Sequence, residues 1–173
     1  MPLHQLVKSR FFVSFFVTSL LSVSLGAQSL PKPKGPVLLT VSGKITNHNA
    51  GDLAEFDAEM LDALPVTQFA TTSPWHAAPV TYAGPSLKHV LTAVGAQGKV
   101  LNMKALNKYE IQVPVDDAVA WGPILARRAN GRELSVRAKG PLLMIYPFDS
   151  KPNLKNDIYY TRSIWQLQHI VVE

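Results

Sequence analysis

The stretch FATTSPWHAAPVTYAGPSLKHVLTAVGA, residues 69–96, holds the two periodicities that decide the fold. Its second half sets Leu87, Val90, Leu91 and Val94 three and four residues apart, the apolar face of an amphipathic helix. Pro85 suits a first helical turn and Gly95 stands just past the last, so the spacing predicts a helix over 85–94. The first half has the shorter period. Val66–Thr71 alternates as a strand, Thr72-Ser73-Pro74 breaks it, and Trp75 and His76 fall in the loop beyond. Val80–Tyr82 is a second short strand, ending at Ala83-Gly84.

The same mixture continues on both sides. Val37–Val41 reads as a strand closed by Ser42-Gly43, and Leu53–Phe56 as another. Asp57 stands as the N-cap of a short helix, AEMLDAL, that Pro65 ends. Downstream, Val100–Leu106 and Tyr109–Val113 are two strands around a turn at Asn107-Lys108. Pro114 opens a polar excursion in which Asp116 and Asp117 read as a solvated loop or cap. Pro123–Ala126 is strand-like and leads into a turn at Ala129-Asn130-Gly131. LLMIYP, after Gly140-Pro141, is a buried strand; residues 149–157 form a long polar loop; Tyr159–Val172 is a final strand region. Short strands with two irregularly placed helices predict an α+β fold of mixed sheets, not a regular βαβ repeat. Gly84, Gly95 and Gly98 lack the spacing of a dinucleotide fingerprint.

The N-terminus predicts export. His4, Lys8 and Arg10 precede the uncharged run FFVSFFVTSLLSVSL, which small residues follow at Gly26-Ala27-Gln28-Ser29. That order is a secretory signal, and its fifteen-residue apolar run falls short of the roughly 20 residues that span a bilayer. Residues 1–27 are expected to be removed, 28–36 to form an extended or mobile Pro/Lys linker, and 37–173 to form one domain acting in the periplasm or outside the cell. No later stretch is long enough to span a membrane. The chain carries a formal charge of +5. Its basic residues form no run interleaved with aromatics, so nucleic acid is not an expected partner. The absence of cysteine rules out disulfides, thiolate metal ligands and a cysteine nucleophile. His48 and His89 have no partner at metal-site spacing.

After residue 37 the order of segments resembles the molybdopterin-binding domain of the sulfite oxidase and methionine-sulfoxide-reductase type. LLTVSGKI is similar to that family's opening strand and turn, and residues 69–96 to its cofactor-loop segment. ALNKYEIQVPVDDA, ILARRANGRELSVRAKGPLLMIYP and IYYTRSIWQLQHIVV resemble the three segments that follow, in order. The resemblance implies the sulfite-oxidase-type fold and a pocket lined by Thr71, Thr72, Trp75 and His76, by Asn107 and Tyr109, by Arg137 and Lys139, and by Arg162 and Trp165.

The family's metal-ligating cysteine falls at Thr71 when counted from Trp75, and at Thr72 when counted from Gly84. A threonine hydroxyl is a poor substitute for a thiolate. The signal also lacks the paired arginines that mark export of prefolded proteins. The expectation is therefore a non-catalytic descendant without cofactor, binding a small anionic molecule or a periplasmic or membrane protein partner, with a sensory role in view. An oxidoreductase holding molybdopterin in an atypical way is the alternative, and a structural envelope module the third reading. Arg127, Arg128, Arg132, Arg137 and Lys139 form the candidate anion site, unless Asp149 and Asp157 pair with them.

Overall fold

A computed structural model describes residues 30–173. The expected signal segment and the first two linker residues lie outside that range. In chain order the elements are β1 (Leu39–Gly43), β2 (Ala54–Phe56), α1 (Ala58–Ala63), β3 (Val66–Ser73), β4 (His76–Pro85), α2 (Leu87–Ala93), β5 (Val100–Ala105) and β6 (Glu110–Pro114). They continue with α3 (Asp117–Ala120), β7 (Ile124–Ala126), β8 (Arg128–Ala129), β9 (Arg132–Glu133), β10 (Leu143–Ile145), α4 (Asp157–Arg162) and β11 (Leu167–Val172). Single 3-10 turns lie at Val136–Ala138 and Pro152–Leu154. The fold is α+β, with short helices and three sheets among the described residues.

The largest sheet has the order β2-β1-β11-β5-β6. β1 pairs parallel with β11, which brings the two ends of the domain together; the other pairs are antiparallel. Alternation places Leu39 and Val41 of β1, Leu101 and Met103 of β5, and Leu167, Ile170 and Val172 of β11 in the core. Leu87, Val90 and Leu91 of α2 and Val94 at its C-cap are buried in the same core cluster, as the spacing predicts. A second sheet runs β3-β4-β8-β9, and β7 and β10 form a third. Residues 142–148 are buried without interruption, as expected of LLMIYP, although the strand itself is only Leu143–Ile145.

Several boundaries differ from expectation. The β3–β4 hairpin runs through Thr72-Ser73 and turns at Pro74-Trp75, so His76 opens β4. Cross-strand pairing overrides the local turn composition. The ladder is irregular between Thr71 and Ser73, and Pro79, which has no N–H to donate, sits opposite that irregularity. β4 does not stop at Ala83-Gly84. It continues to Pro85 because Gly84 lets its backbone lie directly on Leu125 of β7, where a Cβ would collide with the Leu125 carbonyl.

The helix after it starts two residues later than expected, at Leu87. Ser86 is the N-cap, its hydroxyl accepting from the His89 amide, a role proline cannot fill. Tyr159–Arg162, expected as strand, belong to the helix Asp157–Arg162, whose start the Asn156 side chain caps. The linker is also not free. Asp57 caps α1 through Oδ1, while its Oδ2 accepts from the amides of Lys34 (2.7 Å) and Gly35 (2.9 Å). Asn49 donates to the Pro31 carbonyl at 2.7 Å.

Candidate functional site

Three chain segments meet around a cleft of about 560 Å³. The β3–β4 turn supplies Pro74 and Trp75. The β5–β6 turn, closed by Lys108 at φ 68°, supplies Asn107 and Tyr109. α4 and the residues after it supply Asp157, Tyr160, Thr161, Ser163, Ile164 and Trp165. Trp75 meets Trp165 edge-on at 5.1 Å and Tyr160 at 6.4 Å. The Tyr109 hydroxyl donates to the Thr161 carbonyl at 3.1 Å and ties the two walls together. Of the residues expected at the site, Trp75, Asn107, Tyr109 and Trp165 are brought into this one cleft. Its volume lies within the roughly 300–1,000 Å³ of small-molecule sites, and its mix of aromatic walls and a few polar groups is of the same kind.

Arg162, expected to reach a ligand, faces the other way. Its Nη1 donates to Asp117 Oδ2 at 2.9 Å, and the Tyr146 hydroxyl donates to the same oxygen at 2.7 Å. Asp117 is buried, which corrects its reading as a solvated loop or cap. An acid this deep is held by its two donors. Burial first, and then the carboxylate beside it, push the Tyr146 phenol far above the ordinary tyrosine range, so it stays a neutral donor. From there rings run in unbroken contact to the cleft: Tyr146 to Phe148 at 6.3 Å, Phe148 to Tyr160 at 5.0 Å, Tyr160 to Trp75. Sequence reasoning missed Asp117 and Tyr146. The available hint was that a cation on the closing segment needs a carboxylate elsewhere in the chain.

Thr71 and Thr72 do not line the cleft. Thr71 is buried, donating to the Thr72 carbonyl and accepting from the Asp149 amide at 3.1 Å. Both the amide and the hydroxyl of Thr72 donate to the Asp149 carboxylate at 2.6 Å. With the Lys155 ammonium 2.7 Å away as the largest cause, Asp149 has its pKa lowered to about 2. A molybdenum centre built on a protein thiolate needs a soft, deprotonated ligand here. These two hydroxyls are committed to Asp149 and its loop, so the residues present do not fit that group.

The five-cation cluster does not converge. Arg127 is buried and binds Asp62 (2.9 Å) and Glu133 (3.3 Å); Arg128 binds Asp62 at 3.0 Å. Burial tends to raise the pKa of Asp62, but these two guanidiniums outweigh it and hold it below the usual carboxylate range. Asp62 and Glu133 therefore take the partner role expected of Asp149 and Asp157. Arg137 is exposed on the turn Val136–Ala138 and lines no cavity described here. Lys139 does line one, a cavity of about 290 Å³ shared with His76, Val80, Tyr82, Asn130, Leu134 and Leu143 among others.

No family model and no curated protein matches this chain. The chemistry is therefore read from geometry alone. The Ser163 hydroxyl donates to the Tyr159 carbonyl at 3.0 Å, and among the described residues it has no hydrogen bond to a histidine or carboxylate. Among the described residues no three His, Asp or Glu side chains gather as metal ligands. No helix there is long and apolar enough to cross a membrane. What the arrangement provides is stacking area, edge hydroxyls and a rigid frame.

Proposed function

We propose that this chain is a ligand-binding domain working outside the cytoplasm, a non-catalytic relative of the sulfite-oxidase-type molybdopterin-binding fold. In this reading the threonines at the metal-ligand position became structural, and the domain kept a pocket that binds a small anionic molecule. The observation that carries it is the aromatic cleft, in which Trp75, Tyr160 and Trp165 form one edge-packed wall opposite Tyr109. Rigid aromatic surface of this kind gives large contact area at little entropic cost. A sensory role follows from export: a domain outside the membrane that changes on binding is suited to report to a membrane protein.

The test is a thermal-shift and calorimetric screen of the mature chain, 28–173, against small anionic metabolites. A true ligand at 100 times its Kd raises stability by about 2.7 kcal/mol. Trp75→Ala removes the shift without unfolding the domain. Two outcomes overturn the reading. One is a protein partner whose capture is indifferent to Trp75→Ala, which makes the domain an envelope interaction module. The other is stoichiometric molybdenum and pterin in protein purified from its native compartment, which makes it an oxidoreductase of atypical ligation.

A further inference from the structure

The cleft and the His76–Lys139 cavity are neighbours divided by a thin wall. Trp75 lines the first and His76, the next residue, lines the second. Trp165 lines the first, and the ammonium of Lys139, which lines the second, lies over the Trp165 ring, 4.7 Å from its centroid. Lys139 Nζ is also 3.3 Å from His76 Nε2. Arg127, Arg128 and Arg162 each have a carboxylate partner, while Arg132 and Arg137 are exposed with no carboxylate within 4.0 Å among the described residues. Lys139 has none within 4.0 Å among the described residues; an aromatic face and a ring nitrogen are what its charge meets. In the cleft itself the one charged lining residue is Asp157, a carboxylate that disfavours an anion there.

The backbone around these cavities is strained in a matching pattern. Among the described residues, four that are not glycine have positive φ: Lys108, Asn130, Lys139 and Gln166. Asn130 and Lys139 line the small cavity, Lys108 lies between two cleft residues, and Gln166 follows Trp165. Such strain persists where surrounding structure enforces it, and it collects at ligand sites. Lys139 is enforced by its carbonyl, which accepts from the Gln166 amide at 2.9 Å.

Resting on the ligand-binding reading above, we infer that the two cavities form one bipartite site for a planar aromatic carboxylate. The ring system stacks in the cleft against the wall that Trp75 and Trp165 form, beside Tyr109, and the carboxylate takes the Lys139 ammonium from the Trp165 face. Lys139 is the specificity residue, and its movement off the ring joins the two spaces.

The experiment titrates the mature protein by calorimetry with three probes of one shape: naphthalene-2-carboxylate, the neutral naphthalene-2-methanol and the cationic 2-naphthylmethylammonium. The carboxylate binds tightest, with the neutral probe weaker by about tenfold or more, a difference suited to one desolvated ion pair. Lys139→Met removes that difference and leaves the neutral probe's affinity unchanged. Arg137→Ala, which takes away a nearby exposed charge, keeps it. Tryptophan emission changes on binding the carboxylate, and that change is absent in Lys139→Met. If the three probes bind equally and Lys139→Met alters none of them, the bipartite site is wrong while the cleft stands. If none binds, the cleft reading itself fails and the inference falls with it.

Discussion

Asp149 shows how one carboxylate can organise a loop around two threonines. Its folded-state pKa, about 2 against an ordinary 3.8, is depressed by Lys155 and by Thr72. A depressed acid contributes stability that is fully present above its unfolded pKa and is lost as pH falls toward the folded value. The wild type therefore loses this increment between about pH 4 and pH 2. Asp149→Asn melts below wild type at pH 7, and the gap narrows toward pH 2, as thermal unfolding across that range will show. Because Asp149 is partly exposed, the increment is modest. At Asp117 the stakes are larger. Tyr146→Phe removes a hydrogen bond to a buried charge and costs about 1.5–3 kcal/mol. Arg162→Met leaves the carboxylate without its counter-charge and costs about 3–5 kcal/mol. Urea unfolding should rank them in that order; equal losses would mean that Asp117 draws little from its ion pair.

At the element scale, the sequence was most legible where local chemistry and tertiary demand agree. The faces of α2, the Asp57 cap, the Asn107-Lys108 turn and the buried LLMIYP strand follow from period and capping alone, because each is decided within a few residues. It was least legible where one local signal competes with another. The β3–β4 hairpin ignores its own breaker residues because the partner strand lies within pairing distance, and Tyr159–Arg162 is helical because Asn156 caps it. Gly84 is the point where two strands touch backbone to backbone. Gly84→Ala forces β4 off β7 and costs about 1–3 kcal/mol, readable as a lower urea midpoint at unchanged slope. Asp57→Ala removes both a helix cap, worth about 1 kcal/mol, and the clasp on residues 34–35. Tryptic cleavage after Lys34 should become faster in that variant, whereas a cap-only role would leave the cleavage rate as in wild type.

For the whole molecule, what composition and pattern determined was the class of object. The sequence alone established a cysteine-free chain of short alternating strands and few helices, and so an α+β fold with no thiolate to offer a metal. Trp75, Asn107, Tyr109 and Trp165 were singled out by the family resemblance and not by period or composition, and the fold brings these four into one cleft. Which charges are spoken for was decided by tertiary structure alone. Arg127, Arg128, Arg132, Arg137, Lys139 and Arg162 look equivalent in sequence, yet Asp62 lies 65 residues from Arg127 and Asp117 lies 45 from Arg162. Ion pairing falls steeply with distance and burial, neither of which a one-dimensional pattern contains. Folding neutralises three of these cations, leaves Arg132 and Arg137 on the surface, and sets Lys139 against an aromatic ring between two cavities.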